Sequence, residues 1–273
     1  MTIDEAIRTL RQDPQYADLV RDAYLGPDTA DSIARFARSA EFEEVVRLIG
    51  DRIAGATVLD LGAGTGIASA AFKRAGAGHV IAVEPDESEE VGRGAMAQAG
   101  LDLEVIAAYG EALPVPSHSI DIVYARQVLH HAQDLDALVN EVARVLRPGG
   151  LLVACREHVV SNGLELQLFL EAHPLHRLAG GENAFPLAAY TSAIERSGLR
   201  IQAVLGPWDT VINAFPTVRS TAELRALPRD RLVRRFGAAG AIAARIPGVE
   251  AAVRRRIERP MPGRLYTFLA TKP

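Results

Sequence analysis

The sequence predicts an α/β fold: a seven-stranded, mostly parallel sheet with helices on both faces, an N-terminal helical extension, and helical inserts after strands five and six. Three observations carry this. Short apolar runs recur at 57–61, 79–84, 103–107, 120–124 and 150–155, and helical segments at about 67–75, 87–99 and 134–146 lie between most of them. Strands alternating with helices at this spacing form a parallel sheet covered on both sides. The third observation is a glycine-rich turn directly after the first run, "TVLDLGAGTG", which makes the fold Rossmann-like.

Residues 1–52 come first and read as a helical cap. In "DTADSIARFARSAEFEEVVRLIG" the residues Ile33, Phe36, Ala37, Phe42, Val45, Val46 and Ile49 follow a 3.6-residue period. Residues 53–273 form the sheet-bearing domain. Its last crossover helix stops at "RVLRPGG", where basic residues, Pro148 and a glycine pair end the helical pattern. A further helix at 187–197, strand six at 200–205 and the terminal run "GRLYTFLATKP" complete seven strands. Residues 158–186 and 207–262 fit no alternation and read as inserts that form a lid over one mouth of the sheet.

The chain has 273 residues, 48% of them hydrophobic and 23% charged, enough for a sizeable core. A net charge of −4 gives no general attraction to nucleic acids or anionic membranes. The balance is uneven: twelve arginines lie between Arg219 and Arg264, against Glu223, Asp230, Glu250 and Glu258. Their spacing suits the solvated face of amphipathic helices, and a clamp for an anionic acceptor is the functional alternative. Without interleaved aromatics or an RNA-binding module, the patch does not indicate RNA. The single cysteine, Cys155, rules out an internal disulfide framework. The N-terminus "MTIDEAIRTLRQDP" lacks the apolar core of a signal peptide, and no apolar run reaches the roughly 18–20 residues of a membrane span. A cytoplasmic protein, monomer or homodimer, with no membrane or nucleic-acid partner is expected.

A strand leading through a glycine turn into a helix is the nucleotide-binding arrangement of open α/β sheets. The glycines here are Gly62, Gly64 and Gly66, with Ile67 where a dinucleotide fingerprint has its third glycine. Glu84 ends the second strand about 20 residues on, where a carboxylate accepts both hydroxyls of a ribose.

The motifs "VLDLGAGTG", "VIAVEPDE", "EALPVPSHSIDIVYARQVLHH" and "LVNEVARVLRPGGLLV" occur in order over about residues 56–155. Together they resemble the class I S-adenosylmethionine (SAM) dependent methyltransferases, in particular the ubiquinone/menaquinone methyltransferase-like branch that acts on small molecules. The resemblance implies SAM as cofactor. Asp60 and the backbone of Gly62, Ala63 and Gly64 would hold its methionine end, and Gly66 would complete the turn. Glu84 would take the ribose, with Pro85 or Asp86 lining the adenine pocket. Tyr109 stands where the family usually has an Asp on the adenine amino group; it would offer its hydroxyl or stack, beside Gly110 and Glu111. Arg126, which follows strand four over the crevice where the methyl group of SAM should point, would complete the cofactor-binding set.

Methyl transfer needs alignment and water exclusion above all, and a base only when the acceptor must lose a proton. Histidine is the usual base near neutrality. His130 and His131 follow strand four; adjacent residues are not expected to point into one site together, and His131 is preferred. His158, after strand five beside Arg156 and Glu157, is the third candidate, and His173 and His176 lie in the first insert. Metal-dependent catechol-type relatives carry an acidic residue after strand four and an acidic pair after strand five. Only Glu157 is available here, so no metal is expected. Trp208 and Phe215 are read as packing for the second insert. The expected activity is methyl transfer to a small-molecule acceptor, preferably O-methylation of a sugar or secondary metabolite. The alternatives are a SAM-binding protein that transfers no methyl group, cyclase-like or regulatory, and an NAD-binding oxidoreductase.

Overall fold

The computed structural model of the protein describes residues 1–257 and 262–273. The sheet is built from β1 (Thr57–Leu61), β2 (His79–Val83), β3 (Glu104–Ile106), β4 (Ile120–Arg126), β5 (Leu146–Val160), β6 (Phe185–Pro186), β7 (Arg200–Leu205) and β8 (Arg264–Thr271). Its order is β3-β2-β1-β4-β5-β8-β7, with β6 paired to β5. Strands β1 to β5 run parallel, and β8 inserts antiparallel between β5 and β7. All seven expected strands are present; the eighth, β6, is two residues long and too short to leave a periodic signal. Strand order reverses between β1 and β4, so a crevice opens at their carboxyl ends.

Helices α1 (Ile3–Gln12), α2 (Ala17–Asp22), α3 (Thr29–Ala37) and α4 (Ala40–Ile49) precede β1. Crossovers are made by α5 (Ile67–Arg74), α6 (Arg93–Gln98) and α7 (Leu135–Val145). The first insert supplies α8 (Gly163–Ala172) and α9 (Pro174–Ala179), and α10 (Leu187–Arg196) leads into β7. The second insert forms α11 (Val211–Ala214), α12 (Thr221–Phe236), α13 (Ala238–Ala243) and α14 (Val249–Ile257). Its residues 258–261, including Glu258 and Arg259, lie outside the described residues. Among the described residues no helix is long and apolar enough to cross a membrane.

Two boundaries differ from expectation for identifiable reasons. The helix expected at 87–99 begins only at Arg93. Asp86 Oδ1 accepts the Ser88 N–H at 2.8 Å, and Ser88 Oγ accepts the Val91 N–H at 2.9 Å and binds Asp4, so side chains take the donors of the first turn. Strand β5 continues five residues past Cys155 because β8 and β6 pair with it where β4 has already ended. The first insert therefore starts at Ser161, and Arg156, Glu157 and His158 stand on a strand overhang.

The sheet is buried on both faces, which explains its unbroken apolar runs. Leu59, Leu61, Val123 and Leu152 face α7 and α10 through Val139, Val142 and Tyr190. Val58, Ile122, Tyr124 and Val153 face the other layer, where α3, α4 and α5 pack through Phe36, Phe42 and Phe72. The rings of Tyr24, Phe36, Phe42, Phe72 and Tyr124 touch in series with centroids 5.0 to 5.3 Å apart. The N-terminal helices α3 and α4 thus complete one of the two helical layers.

Inside this layer Glu41 is fully buried and meets Arg126 at the end of β4, at 2.6 Å (Oε1–Nε) and 3.1 Å (Oε2–Nη2). Arg156 Nε lies 3.9 Å from the same carboxylate. Burial pushes the Glu41 carboxyl up, but the two guanidinium groups outweigh it and hold the group below the usual range. Glu41→Gln leaves two buried cations without a counter-charge, and urea unfolding at neutral pH should show a loss of about 3–5 kcal/mol. Arg47→Ala, which removes an exposed partner of Glu44, should cost less than about 1 kcal/mol in the same assay.

Candidate active site

The glycine turn follows β1 with Gly62, Gly64 and Gly66 all at positive φ (64°, 55° and 77°). A Cβ on Gly62 would lie 2.5 Å from Val128 Cγ2, so the turn also depends on contact with the segment after β4. Glu84 pins the turn from below: Oε2 accepts the Gly64 N–H at 2.7 Å and Oε1 the Asp86 N–H at 2.9 Å. Burial raises its pKa, opposed by these two bonds. Asp60 lies beneath the turn, fully shielded, and accepts a 2.6 Å bond from Ser69 Oγ. Burial in particular lifts its pKa to about 7.

A cavity of about 370 Å³ opens above the turn. Gly62, Glu84, Pro85, Tyr109, Gly110 and Glu111 line it, as does Asp86. Tyr109 is two-thirds exposed at the rim, and Glu111 also accepts the Gln133 N–H at 2.9 Å, tying down the approach to α7. Asp60, Ala63, Gly64 and Gly66 are not among the lining residues; they shape the turn from behind. Arg126 departs from its expected place. Its guanidinium is committed to Glu41, and it borders a second cavity.

That second cavity measures about 490 Å³, and its walls include Leu10, Leu19 and Asp22 from the N-terminal helices. On the sheet side it is bounded by Arg126, Gln127, His130, His131, Arg156 and His158, with His173 and Glu182 from the first insert. Gln127 and His131 border both cavities, so the two meet there.

The junction is held by backbone in unusual conformations. Gln127 and Arg156 have φ of 59° and 61°, in the left-handed region that side-chain-bearing residues avoid; Gln127 directly follows β4, and Arg156 lies within the neighbouring β5, where its register with β8 shifts. The Gln127 N–H donates to Cys155 O at 2.9 Å, and Arg156 Nη1 donates to Phe215 O at 2.9 Å. Beyond Gln127 a single 3₁₀ turn, Leu129–His131, presents the two histidines. Glu157, wholly buried, accepts the N–H groups of Val128 and His130 at 3.1 Å each and binds His130 Nδ1 at 2.7 Å.

Both adjacent histidines enter the cavity, contrary to expectation, because the 3₁₀ turn swings successive side chains less than a strand would. Their ring centroids are 4.2 Å apart, and the His158 ring is 4.7 Å from that of His130. His130 is buried and His131 half-exposed. His173 joins them, whereas the ring of His176 lies outside the cavity lining. The four rings surround Glu182, which the sequence reading did not single out: it sits in the loop "GGEN" and reaches the histidines only through the fold. Its carboxylate is 3.7 Å from His130 Nε2, 3.9 Å from His131 Nε2 and 3.8 Å from His173 Nδ1. Burial opposes protonation of His130, yet Glu157 and Glu182 prevail and raise its pKa to about 9. His158 makes no ion pair with a carboxylate among the described residues, and burial, aided by the neighbouring charge of His130, drives it down to about 3. Trp208 and Phe215 pack, as expected, among buried apolar residues of the second insert and the adjoining helical layer.

The state of Asp60 has a measurable consequence. Its folded pKa of about 7 exceeds the ordinary 3.8, so the stability tied to its neutral form is complete below about pH 4 and is lost as pH rises through 7. Asp60→Asn keeps an acceptor for Ser69 without the charge. In thermal melts of ligand-free protein, its Tm advantage over the parent should widen by roughly 5 °C from pH 5 to pH 8. A constant difference would show that Asp60 ionises there without cost.

Comparison with known proteins agrees with this geometry. Residues 59–154 match the methyltransferase-domain family. The chain is 32% identical over 203 residues to the 27-O-demethylrifamycin SV methyltransferase of Amycolatopsis mediterranei (strain S699), covering 61% of this chain and 74% of that one. It is 42% identical over 104 residues to an uncharacterized methyltransferase of Mycobacterium ulcerans (strain Agy99); that match takes in 38% of this chain, and the chain spans only 40% of that relative's length. Among solved structures, a SAM-dependent methyltransferase from Mesorhizobium loti superposes with a TM-score of 0.57 at 19% identity, over 86% of this chain and all of the other, which shows a shared fold. An α/β sheet with its glycine turn, a carboxylate-pinned crevice and this sequence kinship lead to one conclusion: the chain belongs to the class I SAM-dependent methyltransferases, whose cofactor is S-adenosyl-L-methionine.

Proposed function

We propose that the protein methylates a hydroxyl group of a small organic acceptor, a sugar or other secondary metabolite, bound in the histidine-lined cavity. The observation that carries this is the meeting of two cavities at Gln127 and His131, one beside the glycine turn and one walled by titratable groups. Two relatives support oxygen as the target by their names: the 27-O-demethylrifamycin SV methyltransferase, and a ubiquinone biosynthesis O-methyltransferase of Chelativorans sp. (strain BNC1), 26% identical over 178 residues.

The first cavity suits the cofactor chemically. Each Glu84 oxygen already takes one backbone N–H and keeps a lone pair for a ribose hydroxyl. Leu61, Ala108, Val128 and Leu138 offer apolar walls, and Tyr109 an exposed ring, for a base. The buried carboxylate of Asp60 favours a cationic group near the turn. When bound, SAM supplies a methyl group on a sulfonium sulfur, an electrophile whose leaving group needs no acid assistance. The protein then has to align the acceptor oxygen, keep water out and receive or release one proton. Helices α1 and α2 with the first insert close over the acceptor, and the cluster of His130, His131, His158 and Glu182 handles its proton.

Calorimetry with S-adenosylhomocysteine should give saturable binding, and Glu84→Ala should weaken it about 10–100-fold through loss of two charge-assisted hydrogen bonds. Product analysis with SAM and a panel of hydroxylated acceptors should then detect transfer. Absence of S-adenosylhomocysteine binding overturns the proposal; binding with no transfer to any acceptor favours a protein that only holds the cofactor.

A further inference from the structure

We propose that His130, His131 and Glu182 form a binding site for one divalent first-row transition-metal ion, of the zinc or iron(II) class, with free coordination positions open to the acceptor cavity. Three independent features of the cluster point to it.

The first is spacing. One ligand atom from each of His130, His131 and Glu182 lies within 4.8 Å of the other two, and the Nε2 atoms are the ones nearest the carboxylate. The nitrogen-to-carboxylate separations of 3.7 and 3.9 Å exceed any hydrogen bond, and among the described residues no hydrogen bond reaches either oxygen of Glu182. Ligands about 2.0–2.1 Å from a tetrahedral ion stand about 3.4 Å apart, so an inward shift of a few tenths of an ångström brings both nitrogen-to-carboxylate separations to that value.

The second is the outer partners. A metal-binding imidazole donates its other N–H to a carboxylate or a backbone carbonyl, which fixes the tautomer and orients the ring. His130 Nδ1 is bound to Glu157 at 2.7 Å and His131 Nδ1 to Gly181 O at 3.2 Å. A carbonyl or carboxylate oxygen only accepts, so in the neutral rings Nδ1 carries the hydrogen and Nε2 presents its lone pair to Glu182. His158 is oriented in the same way, by Gly263 O at 2.8 Å, and stands ready beside the set. A second trio, His158, His173 and Glu182, satisfies the same distance limit. It is less prepared, because His173 Nδ1 already takes the His176 N–H at 3.4 Å.

The third is charge. Glu157 and Glu182 place two largely buried carboxylates around His130, and no lysine or arginine makes an ion pair with either among the described residues. Without an ion the imidazolium of His130 offsets only one of these two charges; a divalent ion that displaces its proton balances both. Two imidazoles and one carboxylate are the donor set of open catalytic zinc and non-haem iron(II) sites.

This deepens the function proposed above and rests on it only for the role of the ion. An acceptor hydroxyl coordinated at the open face would release its proton to solvent near neutrality, so that the bound ion replaces the free imidazoles in the role given them above and leaves the oxygen lone pair facing the junction at Gln127. The site thereby favours acceptors with a hydroxyl that can reach the ion, over amines that remain protonated.

The test uses the whole chain, freed of metal with a chelator. Titration with Co²⁺ should produce visible ligand-field absorption that saturates at one ion per chain, and Zn²⁺ should displace it. Glu182→Gln and His131→Ala should each weaken binding by at least about 10-fold, while His176→Ala should not. Calorimetry with S-adenosylhomocysteine shows that the variants are folded. X-ray absorption of the zinc-loaded parent protein, which needs no variant, should show two imidazole shells and an oxygen shell. No saturable binding, binding that survives both substitutions, or a shell without imidazole overturns the site. Metal binding with no methyl transfer, or methyl transfer with no metal, separates this inference from the proposed function.

Discussion

The carboxylate of Glu157 is the point on which the active-site architecture turns. It is wholly buried, carried on the part of β5 that projects beyond β4, and it binds two backbone amides and one imidazole of a single short turn. An uncapped 3₁₀ turn has few hydrogen bonds of its own to hold it. Glu157 provides the missing acceptors and draws the chain after Gln127 back against β5. That fixes where His130 and His131 stand, and it holds Val128 against Gly62 on the glycine turn. Cofactor crevice and histidine cluster are therefore registered to each other through one side chain.

A second set of buried charges supports the same region from the other side. Glu41, delivered by an N-terminal helix, neutralises Arg126 at the end of β4 and approaches Arg156 on the β5 overhang. Arg156 in turn binds carbonyls of the second insert at Ile212 and Phe215. Segments remote in the sequence thus converge where β4 ends beside the β5 overhang. The left-handed backbones of Gln127 and Arg156 persist there because hydrogen bonds and ion pairs determine both positions several times over.

The two halves of the site differ in construction. The crevice at the glycine turn is made from residues that follow β1 and β2, and its key bonds run between segments about 20 residues apart, such as Gly64 to Glu84. The histidine-lined cavity is assembled from α1, α2, the turn after β4, the β5 overhang and the first insert. Local construction makes the first half recognisable from a short motif, and dispersed construction hides the second half until the chain is folded.

This difference sets how much of the protein was readable from its residues alone. Periodicity and turn chemistry are local, so the seven main strands, the crossovers α5 and α7, the glycine turn and Glu84 were all determined by the sequence itself. A two-residue strand carries no period, and the first turn expected for α6 was lost to side-chain hydrogen bonds that no propensity records. The destinations of Arg126 and Glu182 depended on contacts across 85 and more than 50 residues. Arg126 looked free at a strand end, and only folding placed Glu41 against it. Glu182 looked like a loop residue, and only the return of the first insert over β5 brought it among four histidines. The sequence by itself determined a sheet with a nucleotide crevice, because those signals are short-range. Tertiary structure alone decided which charges are spent on holding the fold and which remain for chemistry, because that depends on which distant partners arrive.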